Sequence, residues 1–119
     1  MLTLEEVLSD VSSSPNFRHL SNVDINSRGK EGESPLHWMA FLGDDKAIKL
    51  LIEAGSNIDF VDNQGNSPLH EAVVNRQTSS VNTLIKLGAN RNLRNKNGLT
   101  PLDIAKADNF EPIIITLNS

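Results

Sequence analysis

The chain has 119 residues, with 11 lysines and arginines against 15 aspartates and glutamates, a formal charge of −4 and no cysteine. That length holds one modest core, and the acidic balance excludes the uniform basic field that nucleic-acid binding requires. Without cysteine there is no disulfide framework and no thiolate metal site.

In chain order, "MLTLEEVLSDV" brings early glutamates and lacks the cationic and apolar regions of a secretory signal. No stretch approaches the roughly 18 to 20 apolar residues of a membrane span, so no membrane partner is expected and a cytoplasmic location is. Thr3 with Glu6 forms a capping-box pattern ahead of a helix bearing Leu4, Val7, Leu8 and Val11. The stretch "PNFRHL" is expected to supply a short second helix.

From residue 34 the sequence repeats itself. "SPLH" at 34–37 returns as "SPLH" at 67–70 and "TPLD" at 100–103, a step of 33, with Gly32, Gly65 and Gly98 in register and Gly55 matching Gly88. Ser34, Ser67 and Thr100 suit a helix N-cap, and the proline after each suits the first helical position. The apolar side of this first helix is Leu36, Met39 and Ala40 in one copy and Leu69, Ala72 and Val73 in the next. A second helix follows in "AIKLLIEAG" and "SVNTLIKLG", each stopped by its glycine. The connecting "SNIDFVDNQGN" and "ANRNLRNKNGL" are rich in turn-forming Asn, Asp and Gly and predict projecting, hairpin-like fingers. A lone helix pair has nowhere to bury its apolar side, so the units must stack.

The helix pair, the finger and the "SPLH" signature at this period resemble the ankyrin repeat, whose usual motif is Thr-Pro-Leu-His-x-Ala. The resemblance implies an all-α fold, an ankyrin-repeat solenoid of stacked helix pairs with hairpin-like loops. It divides the single domain 1–119 into a degenerate N-terminal cap (1–28), repeats at 29–61 and 62–94, and a truncated C-terminal cap (95–119). Two residues depart from the pattern. Arg76 stands where the first full repeat has Gly43, and a left-handed conformation costs a non-glycine residue about 1 kcal/mol or more, so an irregular turn is expected at "NRQTSS". Asp103 replaces the usual histidine. The apolar "IIIT" after Pro112 is open to two readings, core or association patch.

Ser34 with His37 and Ser67 with His70 have the composition of a nucleophile and its base. Their recurrence in register favours a structural hydrogen bond that braces finger against helix. No third ligand joins the two histidines at metal-site spacing and no phosphate-binding glycine loop occurs, so no metal, cofactor or catalytic residue is expected. The acid pairs Asp44/Asp45 and Asp59/Asp62 read as solvated turn residues.

Function is therefore expected on the surface that stacking leaves free. The resemblance implies a concave groove, formed by finger tips and the exposed side of each first helix, that binds another protein. By position its residues are Lys30, Glu31, Glu33, Phe41, Leu42 and Val61, then Asn63, Gln64, Asn66, Val74, Asn75 and Arg94, then Lys96, Asn97 and Leu99. Trp38 lies one helical turn before Phe41 and either shares that patch or fills the gap between cap and first repeat. Residues 29–61 hold six acids against three lysines, and 62–94 hold four bases against two acids. The expectation is a non-enzymatic binding module, monomeric on its own. A small inhibitor, such as a bacterial immunity protein neutralising a cognate toxin, is favoured over a kinase or transcription-factor regulator or a scaffold. An enzyme using the Ser/His pairs comes last.

Overall fold

The computed structural model describes residues 1–119 and contains seven helices and no strand. They are α1 (Leu4–Ser13), α2 (Pro35–Leu42), α3 (Asp45–Glu53), α4 (Pro68–Val74), α5 (Thr78–Lys86), α6 (Pro101–Ala107) and α7 (Glu111–Asn118). Helices α2, α4 and α6 stack as one layer and α3, α5 and α7 as a second, with α1 closing the N-terminal end against α2 and α3. No helix is long and apolar enough to cross a membrane.

The repeating signature starts each first helix in the same way. Ser34, Ser67 and Thr100 are N-caps with extended backbone, the next proline occupies the first turn, and the third helical residue closes a reciprocal capping box. In the last unit Asp103 takes the histidine's part, its carboxylate accepting the Thr100 N–H at 3.0 Å while Thr100 Oγ1 accepts the Asp103 N–H at 3.2 Å. The buried side of these helices is the expected set, Leu36, Met39 and Ala40, then Leu69, Ala72 and Val73. They belong to one continuous apolar cluster that runs from Val7 to Leu117. At roughly 25 cal/mol per Å² of apolar surface removed from water, that cluster supplies the main stabilising force.

The fingers are chain reversals without strand pairing. Within each finger the base closes by one backbone bond, Gly29 N–H to Glu33 O, Asp62 N–H to Asn66 O and Asn95 N–H to Leu99 O. Neighbouring fingers are tied tip to tip, Asn63 N–H donating to Glu31 O at 3.0 Å and Lys96 N–H to Gln64 O at 2.9 Å. Gly65 sits at this junction with φ 75°, and a Cβ there would lie 3.0 Å from the Lys96 nitrogen. Both its conformation and the closeness of the next finger therefore require glycine.

Three expectations need correction. The stretch "PNFRHL" forms no helix; it folds as successive turns, with Phe17 N–H bonded to Ser14 O and Leu20 N–H to Phe17 O, and buries Phe17 completely. Pro15 and the polar serine run before it give too few apolar anchors for a helix. Arg76 produces no irregular turn. Gly43, Arg76 and Asn109 occupy equivalent positions, all left-handed at φ 76°, 54° and 53°, and each turn closes with the same pair of backbone bonds, such as Arg76 N–H to Val73 O and Gln77 N–H to Ala72 O. The Arg76 guanidinium offsets the backbone strain by pairing with both Asp108 oxygens at 2.8 and 2.9 Å and lying 4.8 Å over the Phe110 ring.

The third correction concerns one member of each acid pair, Asp45 and Asp59, which fasten one unit to the next, while Asp44 and Asp62 serve turns of their own unit. Asp44 caps α3 by accepting the Ala47 N–H, Asp45 accepts the Ser79 and Ser80 hydroxyls of α5, and Asp59 accepts the Asn90 N–H of the following unit. At the C-terminal end Ile113 and Leu117 of α7 are buried against the stack, Ile114 is half-buried and Ile115 is exposed. Arg91 donates to the Leu117 and Ser119 carbonyls at 3.0 and 2.7 Å, which places a cation at the negative end of that helix.

Arg76 offers a direct test of strain against contact. Both Arg76→Gly and Arg76→Ala lose the Asp108 pair, but only alanine keeps the left-handed penalty. Urea unfolding should rank wild type above Arg76→Gly and Arg76→Gly above Arg76→Ala.

Candidate functional site

The Ser/His pairs are braces. Ser34 N–H donates to His37 Nδ1 at 3.2 Å, and His37 Nε2–H donates to the Asn66 carbonyl at 2.7 Å. Ser67 and His70 repeat this at 3.1 Å, with Nε2–H reaching the Leu99 carbonyl at 2.9 Å. A carbonyl cannot donate, so each ring carries its proton on Nε2 and accepts through Nδ1. Both nitrogens are committed, no lone pair is left for a metal, and no group of three or more possible ligands is arranged to hold one. Burial holds both imidazoles below the usual histidine value of 6.5, against the opposing pull of the carbonyl each ring serves.

The surface left open is a trough between the first-helix layer and the fingers. Within it lies a pocket of about 290 Å³ framed by α2, α4 and the first two fingers. Six of the residues expected at the groove line it: Glu31, Glu33, Trp38, Phe41, Gln64 and Asn66. Trp38 and Phe41 lie one turn apart on α2, their rings stacked at 5.5 Å with planes 11° apart. Trp38 also packs on the core while it lines the pocket.

Four lining residues were not expected at the groove: Asn16 and Glu71, together with His37 and Asp62, which the sequence assigns to a brace and a turn. Glu71 carried a usable signal, since it occupies in its repeat the position of Trp38, 33 residues earlier. Glu33 is held by Asn16 Nδ2 at 2.7 Å and by the Glu31 N–H at 3.1 Å. Asp62 shapes the finger by accepting the Gln64 and Asn66 N–H groups at 2.9 and 3.0 Å. Burial pushes Glu71 up to about 7, helped by the neighbouring charges of Asp62 and Glu33 and by a hydrogen bond with Asp62 that favours its protonated form.

The other expected groove residues are divided between open surface and architecture. Leu42 and Val61 are exposed outside the pocket, while Val74 and Leu99 line a shallower apolar hollow with Ile104. Lys30, Asn63, Lys96 and Asn97 are exposed along the finger tips. Three are engaged in holding the fold. Asn75 Nδ2 donates to the Phe41 carbonyl at 2.6 Å, Asn66 bridges His37 and Asn95, and Arg94 Nη1 bonds the Gly98 carbonyl of its own finger at 2.8 Å.

Stacked helix pairs, linked fingers and an open trough define a repeat solenoid of the interaction class. Residues 11–95 match the family model for ankyrin repeats in three copies, most of the chain, and the protein belongs to the ankyrin-repeat family. Repeats of this family act as protein-interaction domains. The probable palmitoyltransferase AKR2 of Saccharomyces uvarum is similar to part of the chain, 39% identical over 44 residues, which is 37% of this chain and 6% of that protein. The chain thus spans a small fraction of that relative's length.

Two pH effects of opposite sign follow. The depressed histidines make the unfolded chain bind more protons, so their contribution is complete above pH 6.5 and is lost as pH falls through their folded values. Raised Glu71 acts the other way: its contribution is complete below 4.5 and is lost as pH rises through about 7. Urea midpoints should place Glu71→Gln above wild type at pH 8, with the gap closing towards pH 4.5. Ser67→Ala should lose about 1 kcal/mol, as N-cap removal does.

Proposed function

We propose that the chain is a non-enzymatic binding module that holds another protein in the trough, with Trp38, Phe41 and Leu42 as apolar anchors. The observation that carries this reading is Phe41, 36% exposed and stacked on Trp38 in the lining of the pocket, followed in sequence by Leu42, 49% exposed outside it. Large apolar side chains left facing water at the mouth of a pocket are the usual anchors of a protein interface. The exposed finger residues, among them Glu31, Gln64 and Lys96, supply the polar rim that sets specificity.

Within this reading, an inhibitor that covers a basic enzyme is favoured, in the manner of an immunity protein on its toxin, because the pocket wall is acidic and would steer a basic surface. A regulatory or scaffold role is the alternative. The similarity to a short part of a much longer protein supports it. Palmitoyl transfer is not carried over with that similarity.

Affinity capture from the native cell tests the proposal, with wild type beside the double variant Phe41→Ala/Leu42→Ala. The wild type should retain a protein that the double variant loses, with both chains equally folded by circular dichroism. Equal retention would mean that the trough is not the binding surface.

A further inference from the structure

The pocket's own chemistry narrows what the partner must present, an inference that rests on the trough being the binding surface. One wall is anionic: Glu31, Glu33, Asp62 and Glu71 line it. The chain forms two ion pairs, Arg76–Asp108 and Arg94–Asp103, and neither involves these groups. The donors that reach Glu33 and Asp62 are an amide side chain, backbone N–H groups and, while it is protonated, Glu71 itself; none of them is a cation, and the wall is fully charged once Glu71 ionises above about 7. Glu71, half-buried on α4, faces Asp62 and Glu33 and has no cation beside it. His37 of α2 is the remaining titratable group in the lining; burial disfavours its charged form, against the pull of the Asn66 carbonyl, and its Nδ1 accepts the Ser34 N–H.

Partly buried like charges without a counter-ion lower the stability of the folded chain, and a cation that enters the pocket removes that cost. A second feature, independent of the carboxylates, calls for the same ligand. The Trp38–Phe41 stack lines the same pocket, and aromatic faces attract cations. A space of about 290 Å³ lies at the small end of ligand pockets, which start near roughly 300 Å³, so it takes one side chain more readily than a cofactor.

We infer that this pocket receives an arginine side chain of the partner protein, its guanidinium set against the Trp38–Phe41 stack and its N–H groups on Glu33 and Glu71. Arginine suits both walls, since its plane stacks on aromatic rings and its fork matches carboxylate geometry, whereas an ammonium offers a strongly hydrated point charge. A phosphate or another anion would be repelled by the same wall. A second copy of the chain, at −4, brings the wrong overall charge.

The test uses the single tryptophan, Trp38, as its own reporter. The probe is the peptide acetyl-Leu-Arg-Leu-amide, compared with versions carrying citrulline, which is neutral and of the same shape, or lysine. Titration of the full chain should shift Trp38 emission to saturation with the arginine peptide and require about tenfold more of the citrulline peptide, the factor expected from losing one charge-assisted contact. Arginine binding should strengthen as pH rises through 7. Glu71→Gln should weaken it and remove that pH dependence, although the variant is the more stable protein at pH 8, so loss of binding cannot be loss of fold.

No saturable shift, equal binding of the arginine and citrulline peptides, lysine binding as tightly as arginine, or indifference to Glu71→Gln would overturn the assignment. Calcium chloride displacing the arginine peptide in the wild type but not in Glu71→Gln would assign the pocket to a metal ion instead. If these arms fail while Phe41→Ala/Leu42→Ala still loses the captured partner, the trough stands and only the arginine falls. If capture survives the double variant, the trough itself is wrong.

Discussion

One hydrogen bond, used twice, sets the terms for the rest of the molecule: the imidazole Nε2–H of one repeat donates to the backbone carbonyl at the base of the next finger. The other ring nitrogen closes the N-cap of its own helix. A single side chain thereby fixes where a helix begins and where its neighbour sits. The arrangement needs a neutral ring with its proton on Nε2, which burial provides. In the third unit Asp103 closes the cap but has no outward donor.

Stacking by these braces, by the apolar cluster and by the Asp45 and Asp59 fasteners occupies the second-helix layer and the finger bases. The open side of the first helices is not required for it. Phe41 and Glu71 on that side are not called for by packing, and beside Trp38, which reaches both core and pocket, their combination is not the one that would maximise stability. Phe41 leaves apolar surface in water, and Glu71 brings a carboxylate beside two others. Surfaces that sacrifice stability in this way are where function is usually found.

Much of the architecture was legible because its signals are local. A serine, a proline and a histidine in register at a step of 33 specify a helix start, and a glycine past an apolar run specifies its end. What was hidden depends on contacts between repeats. The left-handed turn at Arg76 looked forbidden because its support, Asp108 and Phe110, lies one unit further on. Asp45 and Asp59 looked like solvated turn residues because the donors they serve lie in the following unit. The trough was assigned by family resemblance, yet half of the pocket's acidic wall, Asp62 and Glu71, was missed. Translating Trp38 by one period would have reached Glu71. Nothing in the sequence signalled that Asn16, in a turn of the N-terminal cap, would hold Glu33. The helix expected in the same turn is absent because Pro15 and the serine run leave it too few apolar anchors, and Phe17 is buried from a turn instead.

The central claim is that the first-helix side and fingers, and not the second-helix layer, carry the partner. Carbodiimide footprinting of the chain, free and in complex with the protein it captures, tests this most directly, because carboxylates mark both faces. The account predicts that Glu31, Glu33 and Glu71 lose labelling in the complex while Glu53 on α3 and Glu111 on α7 label as before. Protection of Glu53 and Glu111 with unchanged labelling in the trough would contradict it.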